Sequence, residues 1–181
     1  RPSHADALHV DFWVNGLNLL RDGGSYSYNT GAKWINYFSG TESHNTIQFD
    51  GNDQMPKVSR FLFGDWLQTS RVQPLELNNE LISYGAGYRS GKNLSHFRRI
   101  SLSEQQLMVL DEINGFRRNA ILRWRLPLGE WSMNKESHEI CLSNDKFKGF
   151  SLSVSLGGNV TFHRVEVVGG CESLHYLDKT E

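Results

Sequence analysis

Cysteine and proline are scarce in this chain, with two and four respectively among 181 residues. Two cysteines, Cys141 and Cys171, exclude a disulfide-built scaffold and leave either one bridge or two thiols. The few prolines exclude a Pro-rich linker or spacer. No apolar run approaches the roughly 18 residues needed to span a bilayer, and no charged n-region with an apolar core opens the chain. Neither sign of charge dominates. Nineteen basic against twenty acidic side chains give a formal charge of −1, which removes any electrostatic ground for nucleic acid or an anionic membrane as partner. An initiator Met is also missing, so the chain is expected to be a piece of a longer protein.

What is present is a folding composition. At 38% hydrophobic and 22% charged residues, disorder is excluded, and the length suffices for a full core. With no internal repeat and no low-complexity tract, residues 1–181 read as one continuous domain.

The dominant periodicity is two. Residues 8–14 (Leu-His-Val-Asp-Phe-Trp-Val) and 17–22 flank Asn15-Gly16, the strongest short-range hairpin signal, because a type I′ turn needs positive φ at both central residues. Further strands are predicted near 45–50, 58–66, 71–77, 81–88, 96–102, 106–113, 119–126, 138–142, 150–156, 160–168 and 172–177. Turn clusters such as Asp50-Gly51-Asn52-Asp53 and Ser90-Gly91-Lys92-Asn93 separate them. About a dozen short strands with little or no helix imply an all-β, antiparallel β-sandwich. Ser103-Glu104-Gln105-Gln106 reads either as a helical capping box or as the polar turn of a hairpin.

Chemistry-bearing residues concentrate in the first fifty positions: His4, Asp6, His9, Asp11, Asp22 and His44, interleaved with Tyr26, Tyr28, Trp34 and Tyr37. Imidazole nitrogens with a carboxylate form the ligand set of a three-protein-ligand zinc site, while the same residues also suit ordinary polar strand faces. An ideal hairpin about Asn15-Gly16 puts Asp22 opposite His9, and His4 roughly 16 Å further along at about 3.3 Å per residue. For His4 to meet Asp22, residues 4–7 must leave the strand line through a bend or bulge.

The series His4-Ala-Asp6-Ala-Leu8, Gly16, Asp22-Gly23-Gly24, Tyr28, Tyr37-Phe38, Ser43-His44-Asn45-Thr46 and Asp50-Gly51 resembles the C-terminal β-sandwich module of the heparinase II/III-like polysaccharide lyases. The likeness is dense over residues 4–66 and thinner through His96-Phe97-Arg98-Arg99, Asp111 and Trp124-Arg125-Leu126. It implies a structural zinc held by His4, Asp22 and His44, with His9 a strand histidine and Asp6 either orienting His4 or capping its loop. It also implies a periplasmic or extracellular location, an acidic polysaccharide as partner, and an N-terminal helical toroid domain that this chain does not contain.

Members of that family cleave uronic-acid polysaccharides by β-elimination, which removes a proton beside a carboxylate whose charge opposes carbanion formation. The carboxylate must be neutralised, a base supplied and the leaving 4-oxygen protonated. In the relatives the toroid brings an Asn or Glu and a Tyr. Many carry His-x-His where this chain has Pro2-Ser3-His4, and proline transfers no proton. The catalytic candidate is therefore Tyr37, with Tyr28 as alternative and an aromatic packed between sheets as the plainer reading. Trp34 and Arg89 are the substrate-binding candidates. Trp66 also suits sugar stacking, whereas Arg60, Arg98 and Arg99 fit a solvated strand face and Trp131 fits the core. Three functions stay open: the C-terminal domain of a lyase inactive alone, a non-catalytic carbohydrate-binding or structural module, and a self-contained metal-dependent barrel enzyme.

Overall fold

The computed structural model describes residues 2–180 except Asn79, Lys92, 136–138, 148–149, 159–160 and Tyr176. Thirteen strands and one α-helix run through the described residues. They are β1 (Phe12–Val14), β2 (Leu17–Leu20), α1 (Ala32–Ser39), β3 (Ile47–Phe49), β4 (Lys57–Ser59), β5 (Leu62–Phe63), β6 (Gln68–Asn78), β7 (Leu81–Ser90), β8 (Leu94–Leu102), β9 (Leu107–Asn114), β10 (Ala120–Leu122), β11 (Ser132–Lys135), β12 (Glu139–Ser143) and β13 (Ser151–Ser155). Every pairing of these strands is antiparallel. The all-β sandwich fold expected from the period-two pattern is the one the chain adopts.

The chain divides into two compact units, Arg1–Arg125 with Cys171–Glu181, and Leu126–Gly170. In the first, β6-β7-β8-β9 form a four-stranded meander, and the two-stranded sheets β1-β2, β3-β10 and β4-β5 are its other ladders. Its core centres on β3, where Ile47 and Phe49 pack with Tyr88, flanked by Leu94, Ile113, Phe116, Ala120 and Leu122. Ala5, Met55 and Phe63 make a second cluster. Ala5 is completely buried, so the segment leading to the histidines is anchored by packing as well as hydrogen bonds.

In the second unit β11-β12-β13 form a three-stranded sheet. Trp131 stacks on Phe147, meets Phe150 edge-on and donates its indole N–H to the Pro127 carbonyl. It is thus a member of a small satellite core.

Most strands fall where alternation placed them; β11 was not predicted, and the single strand predicted over 58–66 is the short hairpin of β4 and β5. Asn15 (φ 49°) and Gly16 (φ 79°) make the expected turn, with Val14 opposite Leu17 and Trp13 opposite Asn18. A bulge between Phe12 and Trp13 then pairs Phe12 with Leu20 and ends the ladder. Ser103–Gln106 is the hairpin turn between β8 and β9, closed by the Ser103 N–H to Gln106 carbonyl bond. Residues 161–168 carry no strand, and over 172–177 the described residues form only isolated bridges. Helix α1 was not placed from sequence. It is eight residues long, follows Gly31 without a side-chain cap, and draws its stability from burying Phe38 rather than from propensity. Both cysteines are free thiols, which settles the alternative left open by the sequence.

Candidate functional site

The site is built on a segment with no secondary structure of its own. Residues 4–10 turn back on themselves: the His9 N–H bonds the Asp6 carbonyl, and Leu8 takes φ 63°. This is the bend that brings His4 off the strand line. Side chains from 41–54 strap the segment down. The Thr41 hydroxyl donates to the Ala5 carbonyl, the Thr46 hydroxyl to the Ala7 carbonyl, and the Gln54 amide both accepts from the Ala7 N–H and donates to its carbonyl.

Asn45, fully buried, joins four chain segments. Its amide nitrogen donates to the carbonyls of Val10 and Arg21, its amide oxygen accepts the Arg125 N–H, and its own N–H donates to His9 Nδ1. Arg98 closes the set from β8. It is 2% exposed, and its Nη1 donates to the Leu8 and Asn45 carbonyls at 2.7 Å each. The solvated-face reading of Arg98 is therefore corrected: Nε and Nη2 grip Asp111 on β9, which also holds buried His96. Arg98↔Asp111 are direct cross-strand partners, so strand register creates the pair.

Around this frame stand three histidines and two carboxylates. His44 Nδ1 lies 2.9 Å from Asp22 Oδ2, His9 Nε2 lies 3.3 Å from the same oxygen, and Asp22 Oδ1 accepts the Gly24 N–H. The His4 and His44 rings are 5.2 Å apart, those of His9 and His44 5.4 Å. Donor atoms of His4, Asp6 and His44 lie within 4.8 Å of one another, as do those of His9, Asp22 and His44. His44 is thus the common member of two groups, one with His4 and Asp6, the other with His9 and Asp22.

Hydrogen bonding separates the roles of the imidazoles. His9 Nδ1 accepts the Asn45 N–H, so the ring proton sits on Nε2, toward Asp22, and His9 offers no lone pair to a metal. His44 is the reverse. Its Nδ1–H donates to Asp22, leaving the Nε2 lone pair on a fully buried side chain with no hydrogen-bond partner among the described residues. A buried orphaned nitrogen beside a second imidazole and carboxylates fits a zinc ion.

The electrostatics agree with that fit. Burial, foremost, and then the neighbouring His44 push His4 below its ordinary value; burial likewise lowers His9, so both rings are held neutral. Burial alone would raise Asp22, but hydrogen bonding and charge from His44, with the Gly24 N–H, outweigh it and keep the carboxylate well below the usual range. Neutral imidazole and ionised carboxylate are the protonation states that ligate metal.

The other sequence-predicted residues stand apart from the cluster. Tyr37, on α1, donates its hydroxyl proton to the Cys171 carbonyl and accepts from the Cys171 N–H and Arg125 Nη1. All three hydrogen-bonding positions of that phenol are engaged. Trp34, also on α1, has the ammonium groups of Lys33 and Lys179 over its ring at 4.6 and 4.2 Å. Tyr28 is exposed against Phe61. Arg89 projects from β7, exposed and opposite Gln68 of β6. Asn45, Arg98 and Asp111 were missed as site residues. The signal for them was the likeness itself, which includes all three residues, since a single polar residue in a strand pattern does not reveal burial.

The sequence profile of the family described as "Heparinase II/III-like, C-terminal" matches residues 1–172. A heparin-sulfate lyase of Bacteroides stercoris is 29% identical over 133 residues, 70% of this chain and 18% of that protein. Among solved structures, a heparinase III gene product superposes with a TM-score of 0.71 at 22% identity, covering 98% of this chain and 26% of that one. The heparan sulfate lyase HepC from Pedobacter heparinus gives 0.72 at 19% identity, over 97% of this chain and 26% of that one. The chain therefore spans about a fifth to a quarter of the length of these relatives, and the two structures share its fold. With its profile matched almost end to end, the chain belongs to the heparinase II/III-like C-terminal family.

Proposed function

We propose that this chain is the C-terminal β-sandwich portion of a polysaccharide lyase that cleaves an acidic, uronic-acid-containing polysaccharide by β-elimination, and that it is inactive alone. The observation that carries the reading is the orphaned His44 Nε2 in a pocket of neutral imidazoles and ionised carboxylate, within a chain whose family match runs over residues 1–172. His44 Nε2 and His4 would hold zinc, with Asp6 a further donor within reach of both, while Asp22, hydrogen-bonded to His44 Nδ1 on the other side of that ring, would orient it rather than ligate as the resemblance implies. When bound, the ion would supply a fixed positive charge that ties the 4–10 segment and the loop after α1 together.

In the proposed reaction the proton at C5 of the uronate leaves to a base, the C4–O4 bond breaks, and a C4=C5 double bond forms while the departing oxygen takes a proton. This chain contributes one wall of the cleft and its ordered histidine cluster. The carboxylate-neutralising group and a catalytic Tyr belong to a helical domain outside it, as the larger size of the relatives supports. Location in the periplasm or outside the cell goes with this reading, because the substrate is an extracellular polymer.

Two observations favour a second reading, a non-catalytic carbohydrate-binding module. Pro2 stands where many relatives carry a first imidazole, and the Tyr37 phenol is committed to Cys171 and Arg125. The readings separate by mixing the full-length protein with a panel of acidic glycans and following the absorbance of unsaturated uronate. A rise supports the lyase; none across the panel supports the binding module. Metal analysis tests the site itself: one zinc per chain is expected, abolished in His44→Ala, and zinc content unchanged by that substitution would remove the site.

A further inference from the structure

We propose that the cleft between the 52–57 loop and the start of β6 and end of β7 is a second sugar-binding subsite, taking one pyranose unit of the same acidic polysaccharide beside the histidine cluster. The inference rests on the acidic-polysaccharide reading for the ligand's charge, but its geometry is independent of the metal.

The cleft is an open depression of about 720 Å³. Trp66 forms part of its lining with more than half its surface exposed, and the indole N–H is fixed to the Phe63 carbonyl at 2.6 Å. The indole is thus held in one orientation and offers its exposed face to a flat partner. The C–H face of a pyranose is such a partner. Across the lining, Arg89 is exposed and makes no hydrogen bond or ion pair among the described residues. A free guanidinium near an aromatic platform suits a carboxylate or sulfate on the sugar ring, by two parallel hydrogen bonds.

The remaining charges show which groups are available. Lys57 is occupied, donating to Ser39 Oγ and the Ile35 carbonyl, and Asp53 is occupied by the Thr41 N–H. Asp65 is exposed in the lining and free to accept a sugar hydroxyl or amide N–H. Among the described lining residues, Arg89 as a free cation, Asp65 as a free acceptor and Trp66 as a platform match a hydroxylated ring that carries an anionic group. The cleft also adjoins the histidine site. Gln54 forms part of its lining, and the Gln54 amide is the group that holds Ala7, between His4 and His9.

The test titrates the chain with a heparan sulfate hexasaccharide and, separately, a neutral cello-hexaose, by calorimetry and tryptophan fluorescence. Trp66→Ala is expected to weaken hexasaccharide binding about tenfold, and Trp66→Phe, which keeps a platform, to retain most of it. Arg89→Ala is expected to lose about tenfold and to flatten the salt dependence. Both positions are exposed, so melting temperatures close to wild type confirm that the variants are folded. Equal binding by wild type, Trp66→Ala and Arg89→Ala, or no Trp66-dependent signal with either glycan, overturns the subsite. Trp66-dependent binding of the neutral glycan alone supports a sugar subsite while defeating the acidic-substrate reading.

Discussion

Removing the Asp111 carboxylate should be among the most damaging single changes available in this chain. Its two oxygens receive His96 Nε2 at 2.7 Å, Arg98 Nε at 2.7 Å and Arg98 Nη2 at 2.8 Å. Arg98 is 2% exposed and His96 completely buried, so Asp111→Ala leaves a guanidinium uncompensated in the interior. Breaking a buried pair from one side costs about 3–5 kcal/mol. For a unit of this size that corresponds to a fall of about 10–15 °C in the thermal midpoint. Asp111→Asn, which keeps an acceptor and the volume, should fall in between. Hydrophobic replacement of both partners, for instance Arg98→Met with Asp111→Leu, should not restore wild-type stability here, because Arg98 Nη1 also satisfies the Leu8 and Asn45 carbonyls. Each buried carbonyl so orphaned costs about 1–3 kcal/mol. Thermal and urea melts of the wild type, Arg98→Ala, Asp111→Ala and the double alanine variant form a cycle that isolates the pair. A midpoint for Asp111→Ala within about 3 °C of wild type would refute the claim that this network carries the 4–10 segment.

Acidification should act through the same carboxylate. Burial alone would raise Asp111, but the hydrogen bonds from His96 and Arg98 outweigh it and hold the group below its ordinary value. A folded pKa below the unfolded one gives stability that is fully present above about pH 4 and is lost as the pH falls through the folded value; melts from pH 7 to 2 should show that loss diminished in Asp111→Asn. Asn45→Ala removes three side-chain hydrogen bonds at a fully buried position and should cost about 3 kcal/mol, with zinc affinity reduced at temperatures where the variant is still folded. Gly24→Ala should be worse than its size suggests. Gly24 has φ 81°, and an added Cβ would sit 2.0 Å from the Ser173 carbonyl oxygen, so the bridge to Ser173 must open and the N–H holding Asp22 must shift. Limited proteolysis after residue 170 should report that opening as faster cleavage in the variant. Zinc added to the wild type should raise its thermal midpoint, since a ligand that binds only the folded state stabilises it by mass action; at a hundred times Kd the gain is about 2.7 kcal/mol.

Much of the fold was legible because its signals are local. Alternation along 107–113, where Leu107, Val109 and Ile113 share the less exposed face, marks that face for burial whatever the rest of the chain does, and Asn15-Gly16 demands its turn through backbone sterics alone. Helix α1 escaped notice although Trp34, Tyr37 and Phe38 have helical spacing, because eight residues offer little more than two turns of pattern. The absence of strand over 161–168 reflects the opposite failure, a period-two pattern that found no ladder partner.

The sequence by itself determined the all-β class, most of the strands, the opening turn and the residue types of the histidine cluster, since these depend on side-chain chemistry and near-neighbour geometry. Only the tertiary structure decided which of those residues meet. His4 reaches His44 because Ala5 is buried and Thr41, Thr46 and Gln54 hold the segment in a bend. Arg98 is an internal brace because β8 and β9 place it opposite Asp111 and under Leu8. Both outcomes depend on hydrogen bonds between residues tens of positions apart, whose partners no local pattern can specify.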